Sequence, residues 1–228
     1  MSEGPWLPLV ERRREPMVRV PLAVAAVIAA MIGAHALRLL AGVDPGRFAF
    51  ASGDLAAGRY GRLITYQFVH ASWAHVLINS AFVLAFGVPA ARFLGEGLRG
   101  SASFIVFFLL CGIAAALGYA GLAPAGAWAV VGASGAASGL MGAAALIIEG
   151  RGGLGSPLGP TALAMTGGWI ILNILLGVSG LTPGAGGVPV AWQAHIVGYF
   201  AGMALIAPAA AAAGTPLAGA ARGSGEDR

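Results

Sequence analysis

The chain has 228 residues, of which 58% are hydrophobic and 10% charged, and its mean hydropathy is +0.83. A soluble domain carries about 25% charged residues, so this chain cannot cover a water-facing surface of its own size. Its net charge of +4 comes from 13 basic residues, all arginine, and they form no stripe interleaved with aromatic residues, which excludes a nucleic-acid partner. The composition predicts an all-α, polytopic protein embedded in a lipid bilayer.

Six apolar segments are long enough to cross the hydrocarbon core of a bilayer, which takes about 20 residues. In chain order they cover residues 20–41, 72–94, 102–122, 130–149, 161–180 and 190–212. Segments rich in Gly, Pro and Asp separate them, and the longest covers residues 42–70. We therefore expect an N-terminal segment over 1–19, one six-helix domain over 20–212, and a disordered tail over 213–228.

The distribution of arginine predicts the orientation of these spans. With the N-terminus inside, nine arginines fall on the inner side and three on the outer side, and the thirteenth, Arg38, lies near the outer end of the first span. Because cytoplasmic segments carry an excess of Lys and Arg, we expect both termini in the cytoplasm. One alternative stays open for the first span. Its basic start, apolar run and Ala34-His35-Ala36 also resemble a cleavable signal peptide.

Rare polar side chains mark the outer ends of three predicted spans. The second, fourth and sixth spans run in the same direction. A few residues from their outer ends they carry His75 and Asn79, Ser134, and His195 respectively. At ~1.5 Å per residue, these side chains lie within about 10 Å of the outer surface. Polar groups in a membrane are costly and normally face the bundle interior or a water-filled cavity. The pattern therefore predicts one shared polar site.

Acyl transfer is the chemistry that this set favours. A serine becomes a nucleophile when a base takes its proton, and His195 can be the base for Ser134. His75, Asn79 and the backbone N–H of Ser134 can donate hydrogen bonds to an oxyanion. No Asp or Glu lies in the membrane at this depth, which predicts a Ser–His dyad without a third group.

Two other interpretations of these residues stay open. Gly135 and Gly139 are spaced as in the packing face of a membrane helix, which needs no catalysis. His70, His75 and His195 could instead bind zinc through three imidazoles, although no carboxylate or cysteine accompanies them. The single Cys111 lies in an apolar span and is expected to be an inert core residue.

Three motifs together resemble the rhomboid intramembrane serine proteases, and the resemblance covers about residues 20–212. In chain order they are His70-x4-His75-x3-Asn79, Gly132-x-Ser134-Gly135, and Ala194-His195-x-x-Gly198-x-x-x-Gly202. The resemblance implies a six-helix bundle and a serine-type endopeptidase that cleaves in or near transmembrane segments of membrane-protein substrates. It implies no metal or cofactor. With the predicted orientation, we expect a protein of the plasma or inner membrane whose active site opens to the non-cytoplasmic side.

The resemblance also implies a role for each motif residue. Ser134 would be the nucleophile and His195 the general base, while His75, Asn79 and the Ser134 backbone would stabilise the oxyanion. Supporting roles would fall to His70, Gly132, Gly135, Gly198 and Gly202. The last two would let the sixth helix pack closely on the fourth.

The chain departs from the family pattern at two positions. Gly61 precedes Arg62 where the family often has Trp-Arg, and Ser138 stands where some members have a tyrosine against the catalytic histidine. In the first loop, we expect five aromatic side chains to lie at the membrane interface: Phe48, Phe50, Tyr60, Tyr66 and Phe68.

Two alternative functions remain. One is a non-proteolytic rhomboid-like protein that binds membrane clients, and the other is a small-solute transporter. The sequence identifies neither the substrate nor the oligomeric state.

Overall fold

A computed structural model describes residues 19–123, 128–181 and 189–217 of the chain. Within these ranges the fold consists of helices and two isolated backbone bridges. The α-helices are α1 (Leu22–Leu40), α2 (Gly53–Ala56), α3 (Arg62–Thr65), α4 (Trp73–Leu94), α5 (Leu98–Leu122), α6 (Ser134–Glu149), α7 (Pro160–Ser179) and α8 (Trp192–Ala213). The fold is all-helical, as the sequence predicts.

Five of the six predicted spans, α1, α4, α5, α7 and α8, are long and apolar enough to cross a membrane. The predicted span over 130–149 becomes α6, which has only 16 residues. At ~1.5 Å per residue it is about 24 Å long, shorter than a typical hydrocarbon core of ~30 Å. Most of the predicted N-terminal segment and tail lie outside the described residues, and the domain limits and the orientation of the termini stay predictions.

Helix α6 begins four residues later than predicted because the preceding segment is extended. Val130 and Phe50 exchange two backbone hydrogen bonds of 2.8 and 3.0 Å, so the chain is bridged to the loop after α1. Gly132 then adopts φ +109°, a conformation that L side chains rarely adopt, and its N–H donates to the Tyr66 carbonyl at 2.9 Å. Ser134 is therefore the first residue of the helix.

Helix α6 is the centre of the bundle, and small residues let its neighbours approach its backbone. Its residues from Gly135 to Leu146 are buried except Met141. A Cβ on Gly198 of α8 would overlap the carbonyl oxygen of Gly135, and a Cβ on Gly202 would overlap that of Gly139. At these two glycines the backbones of α8 and α6 therefore lie in close contact.

The loop between α1 and α4 is an ordered part of the fold. Asp54 is 1% exposed and accepts hydrogen bonds from the Ala51 N–H at 2.8 Å, Arg59 Nε at 2.6 Å and Arg62 Nη1 at 3.0 Å. Arg62, which follows Gly61 rather than the tryptophan of the family pattern, therefore pairs with a carboxylate within the same loop. This cluster joins α2 to α3.

The expectation of interfacial aromatics in this loop is wrong for two residues. Phe50 and Tyr66 are 0% and 2% exposed, because they pack on Ala116 of α5. The Tyr66 hydroxyl also donates to the Gly112 carbonyl at 2.7 Å. Tyr60, by contrast, is 62% exposed. The loop side chains that pack on α5 hold the loop against the bundle.

Helix α7 is the least enclosed of the long helices. Only Ala162, Trp169 and Asn173 are buried along its 20 residues. Its N-terminus is capped from α6, since a Glu149 carboxylate oxygen accepts from the Thr161 N–H at 2.8 Å and the Ala162 N–H at 3.3 Å. Helix α7 is thus held at one end by Glu149 and along its length by a few buried side chains.

Candidate active site

The side chains of Ser134 and His195 meet between the first turns of α6 and α8. The distance between Ser134 Oγ and His195 Nε2 is 2.8 Å. This is hydrogen-bonding distance, and it is the contact through which an imidazole can take a proton from a hydroxyl. The structure therefore brings together the two residues that the sequence assigns as nucleophile and base.

His195 has a second hydrogen-bond partner, Asn173, which is not among the predicted site residues. Its Nδ1 atom lies 2.7 Å from Oδ1 of Asn173 on α7. The prediction of a histidine with no third group is wrong, because it considers only carboxylates and the partner is an amide. The sequence offers one signal for this partner, which is the spacing of Asn173 and Trp169. Asn173 follows Trp169 by one helical turn on a mostly apolar helix, so the two side chains share a face.

Trp169 and Ser138 show how this site differs from the pattern with a tyrosine on α6. The ring centroid of Trp169 lies 6.0 Å from that of His195. The Ser138 hydroxyl donates to the Ser134 carbonyl at 2.7 Å and so stays within α6. The aromatic neighbour of His195 therefore comes from α7.

His75 and Asn79 bring two side-chain nitrogens to one point beside Gly132, two residues before Ser134. A Cβ built on Gly132 would lie 2.8 Å from His75 Nε2 and 3.2 Å from Asn79 Nδ2. The Ala71 N–H approaches His75 Nδ1 at 3.5 Å, which leaves the ring hydrogen on Nε2. Asn79 is 4% exposed, and its Nδ2 has no hydrogen-bond partner among the described residues. Two N–H donors are thus available in the cavity that Ser134 lines.

Helix α6 adds backbone donors to the same place. The first N–H groups of a helix have no acceptor within the helix, and Ser134 and Gly135 occupy these positions in α6. The Ala133 cap position provides no side-chain hydrogen bond to them. The N-terminus of α6 can therefore bind developing negative charge beside Ser134.

His70 lies behind the serine rather than in the cavity. Its Nε2 atom accepts from the Ala133 N–H at 3.4 Å, and the side chain is 0% exposed. Burial, together with the neighbouring His75 and His35, lowers the pKa of His70 to about 3. The ring is therefore neutral and can accept this bond. The contact supports the backbone turn that presents Ser134.

A cavity of about 620 Å³ lies in front of Ser134 and is lined mostly by apolar side chains. Its polar lining includes Ser134, His195, His75, Asn79 and Gln193. A pocket of this size accommodates a short stretch of peptide. Across the described ranges, no group of three His, Cys, Asp or Glu residues is arranged to hold a metal ion, so the zinc interpretation gains no support.

The fold and the site define a polytopic helical membrane protein with a serine–histidine pair at the N-terminal ends of two closely packed helices. The family model of the Rhomboid domain matches residues 57–211, well over half of the chain. The chain belongs to the rhomboid family, and the resemblance inferred from the three motifs is confirmed. Members of this family are generally intramembrane serine proteases, although inactive members exist. No curated protein sequence matches the chain significantly.

Proposed function

We propose that this protein is an intramembrane serine endopeptidase that hydrolyses peptide bonds in or near transmembrane segments of other membrane proteins. The observation that carries this proposal is the 2.8 Å contact between Ser134 Oγ and His195 Nε2. A serine hydroxyl and an imidazole in contact at the wall of a peptide-sized cavity are the arrangement that acyl transfer requires. The protein needs no cofactor for this chemistry.

Acylation follows from the geometry of these groups. Ser134 Oγ attacks the peptide carbonyl carbon while His195 Nε2 takes its proton. The carbonyl oxygen becomes an oxyanion, which the N–H donors of His75, Asn79 and the Ser134 backbone stabilise. As the C–N bond breaks, His195 returns the proton to the leaving amine, and the new N-terminus departs.

Deacylation repeats these steps with water. His195 takes a proton from a water molecule, and the resulting hydroxide attacks the ester carbonyl on Ser134. The same donors bind the second oxyanion. Collapse of this intermediate releases the carboxylic acid, and the proton returns from His195 to Ser134 Oγ, which regenerates the free enzyme.

Two alternative functions make different use of these residues. A client-binding protein without protease activity does not require the contact between Ser134 and His195. Transport sites normally lie near the bilayer midplane at broken helices, whereas Ser134 and His195 fall in the first turns of α6 and α8. The position and pairing of the polar groups therefore favour the peptidase.

The decisive experiment is active-site labelling of the full chain in proteoliposomes with a fluorophosphonate probe, alongside cleavage of a panel of single-span membrane substrates. We expect Ser134→Ala and His195→Ala to abolish both. Ser138→Ala is the matched control, because this serine lies one turn further along α6 and donates only to a backbone carbonyl. Labelling or cleavage that persists in Ser134→Ala contradicts the peptidase. Binding of these substrates by a wild-type protein that is neither labelled nor cleaves supports the client-binding alternative.

We further propose that the protein spans the cell membrane with both termini inside and the cavity open to the non-cytoplasmic side. The single native cysteine, Cys111, is 0% exposed and gives little background for thiol labelling. We expect Tyr60→Cys, at a position 62% exposed, to react with a membrane-impermeant maleimide in intact cells. Leu158→Cys, at a position 76% exposed, should react only after lysis. The reverse pattern would contradict this orientation.

A further inference from the structure

His195 makes a hydrogen bond through each of its two ring nitrogens, to groups on two different helices. Nε2 lies 2.8 Å from Ser134 Oγ on α6, and Nδ1 lies 2.7 Å from Asn173 Oδ1 on α7. Asn173 is 0% exposed. A buried amide in an apolar helix is costly unless its polar atoms are bonded. The contact with His195 provides a hydrogen-bond partner for the oxygen of this buried amide.

The amide of Asn173 has one orientation that satisfies both of its ends. Its Nδ2 donates to the Trp169 carbonyl at 2.9 Å, one turn earlier on α7. The opposite orientation would set two oxygens against each other at the Trp169 carbonyl. Oδ1 is therefore the atom that faces His195, and a carbonyl oxygen can only accept.

This orientation determines which nitrogen of His195 carries the proton. Since Asn173 Oδ1 accepts, His195 Nδ1 must donate its hydrogen to it. The neutral ring then has a lone pair on Nε2, the atom that faces Ser134 Oγ. This is the tautomer that a general base needs. In Ser–His–Asp sites, the third residue selects that tautomer and holds the ring in place.

We propose that Asn173 is the positioning residue of a Ser134–His195–Asn173 catalytic array, so that the site is more than a Ser–His dyad. The inference rests on the proposed peptidase function and deepens it. Asn173 does not touch the substrate. It acts through His195, by selecting the reactive tautomer and limiting rotation of the ring. Ser138 stays bonded within α6, and the histidine is held from α7 instead.

The competing interpretation is that Asn173 only joins α7 to α8, as polar groups between membrane helices often do. The chain contains a second polar contact between α7 and α8, which serves as a control. The Thr166 hydroxyl lies 3.0 Å from the Tyr199 hydroxyl, and this bond also connects α7 to α8. The hydrogen bonds of the Thr166 side chain go to the Ala162 carbonyl and the Tyr199 hydroxyl, and none goes to His195. Thr166→Val therefore removes a side-chain bond between the same two helices and leaves the array intact.

The test compares Asn173→Leu, Asn173→Asp and Thr166→Val in proteoliposomes. The readouts are kcat and KM for a membrane substrate and the fluorophosphonate labelling rate between pH 5 and 9. We expect Asn173→Leu to lower kcat and the labelling rate by about 10²-fold, with little change in KM, because base catalysis contributes ~10²–10⁴-fold. Thr166→Val should stay within about twofold of wild type in kcat and labelling rate. Equal losses in the two variants would overturn the positioning role.

Asn173→Asp provides a readout that a purely structural role does not move. A carboxylate accepts from Nδ1 as the amide does but cannot donate to the Trp169 carbonyl, so Asn173→Asp should be more active than Asn173→Leu and less active than wild type. It also stabilises the imidazolium, so the acidic limb of the rate–pH profile should move to higher pH. The other titratable side chains that line this cavity are Tyr66 in the loop before α4, His75 on α4 and Tyr119 on α5, and every variant retains them. A profile that stays at the wild-type position would overturn the inference, even if Asn173→Leu fails to fold.

Failure of this inference differs from failure of the proposed function. If Ser134→Ala abolishes labelling but the Asn173 variants behave as Thr166→Val does, the peptidase stands and the array does not. If Ser134→Ala retains labelling and cleavage, the proposed function fails, and the array fails with it.

Discussion

Gly198 lies directly against the carbonyl oxygen of Gly135, so that no side chain fits between α8 and α6 at this point. Gly198 is one turn from His195, and Gly135 is next to Ser134. The separation of the two helices at this contact therefore determines how closely the hydroxyl and the imidazole approach. The glycines position the site as directly as the polar residues do.

The first prediction concerns Gly198→Ala. The added methyl group overlaps the Gly135 carbonyl and must push the helices apart, which costs about 1–3 kcal/mol of the free energy of unfolding. We expect a lower melting temperature in detergent and a fall of at least tenfold in fluorophosphonate labelling. The labelling rate is measured on the fraction of protein that remains folded.

Gly167→Ala is the control for this substitution. Gly167 lies in α7, and a Cβ at this position has no heavy atom within 4 Å. In a helix interior, exchange of Gly for Ala at an open position stabilises by about 0.4–1 kcal/mol. Gly167→Ala should therefore label normally and melt no lower than wild type. Wild-type labelling in Gly198→Ala would contradict the role given to the glycine contact.

The second prediction concerns the oxyanion donors. We expect His75→Ala and Asn79→Ala each to lower kcat about 10²-fold, since loss of one such donor costs ~10²–10³-fold. Ser80→Ala is the control, because this buried serine follows Asn79 on α4 but donates only to the Val76 carbonyl. Steady-state kinetics on one membrane substrate separates the effects on kcat and KM. Equal kcat in all three variants would contradict the donor role.

The catalytic motif is the part of the site that can be predicted from sequence. Ser134, His195, His75 and Asn79 all lie in the first two turns of helices that run in one direction, so their depth in the membrane follows from counting residues. Asn173 belongs to a helix that runs the other way, and its facing depends on the rotation of α7 against α8. Helix rotation arises from packing, which a lone Asn in an apolar segment does not reveal.

The loop after α1 shows the same limit for the fold. Five of the six helices that form the bundle could be placed from the length of apolar segments, and their ends differ by a few residues from the predicted ones. The burial of Phe50 and Tyr66 could not be predicted from the sequence, because an aromatic residue suits both a membrane interface and a protein core. Their burial depends on where the loop lies against α5. The short helices α2 and α3 could not be predicted either, because four residues are too few to show a helical pattern of apolar side chains.

The third prediction concerns the buried carboxylate of Asp54. Burial raises its pKa, but the hydrogen bonds from the Ala51 N–H, Arg59 and Arg62 outweigh this, so that the pKa lies below its ordinary value of 3.8. The ionised group therefore stabilises the fold above pH 3.8. This contribution is lost as the pH falls through the lower pKa of the folded state. Thermal unfolding in detergent between pH 7 and 3 measures the effect.

Substitution tests the same cluster at constant pH. We expect Asp54→Ala to cost about 1–3 kcal/mol, because hydrogen bonds to charged groups contribute ~1.5–3 kcal/mol and the partly exposed arginines are screened by solvent. Asp54→Ala should also flatten the acid dependence. Asp44→Ala is the control, since this carboxylate is exposed and accepts only from the Gly46 N–H. An unchanged acid dependence in Asp54→Ala would contradict the role of this carboxylate.

The fourth prediction concerns Glu149, which caps α7 from the end of α6. Glu149→Ala removes the acceptor of the Thr161 and Ala162 N–H groups. We expect faster amide hydrogen exchange in the first turn of α7 and a lower melting temperature. Glu149→Gln keeps an acceptor oxygen and should show a smaller change in both. Equal exchange rates in the two variants and wild type would show that the cap does not stabilise α7.

Helix α7 buries only Ala162, Trp169 and Asn173, and this sparse packing has a consequence for the order of events in turnover. The bond from Asn173 Oδ1 to His195 Nδ1 measures 2.7 Å, and a separation beyond about 3.5 Å no longer bonds. An added peptide strand occupies about 4.7–4.9 Å. A substrate that passes between α7 and α8 at Asn173 would therefore break this bond, and proton transfer to His195 would be slowed until α7 returns. Substrate access by that side and bond cleavage are then separate in time.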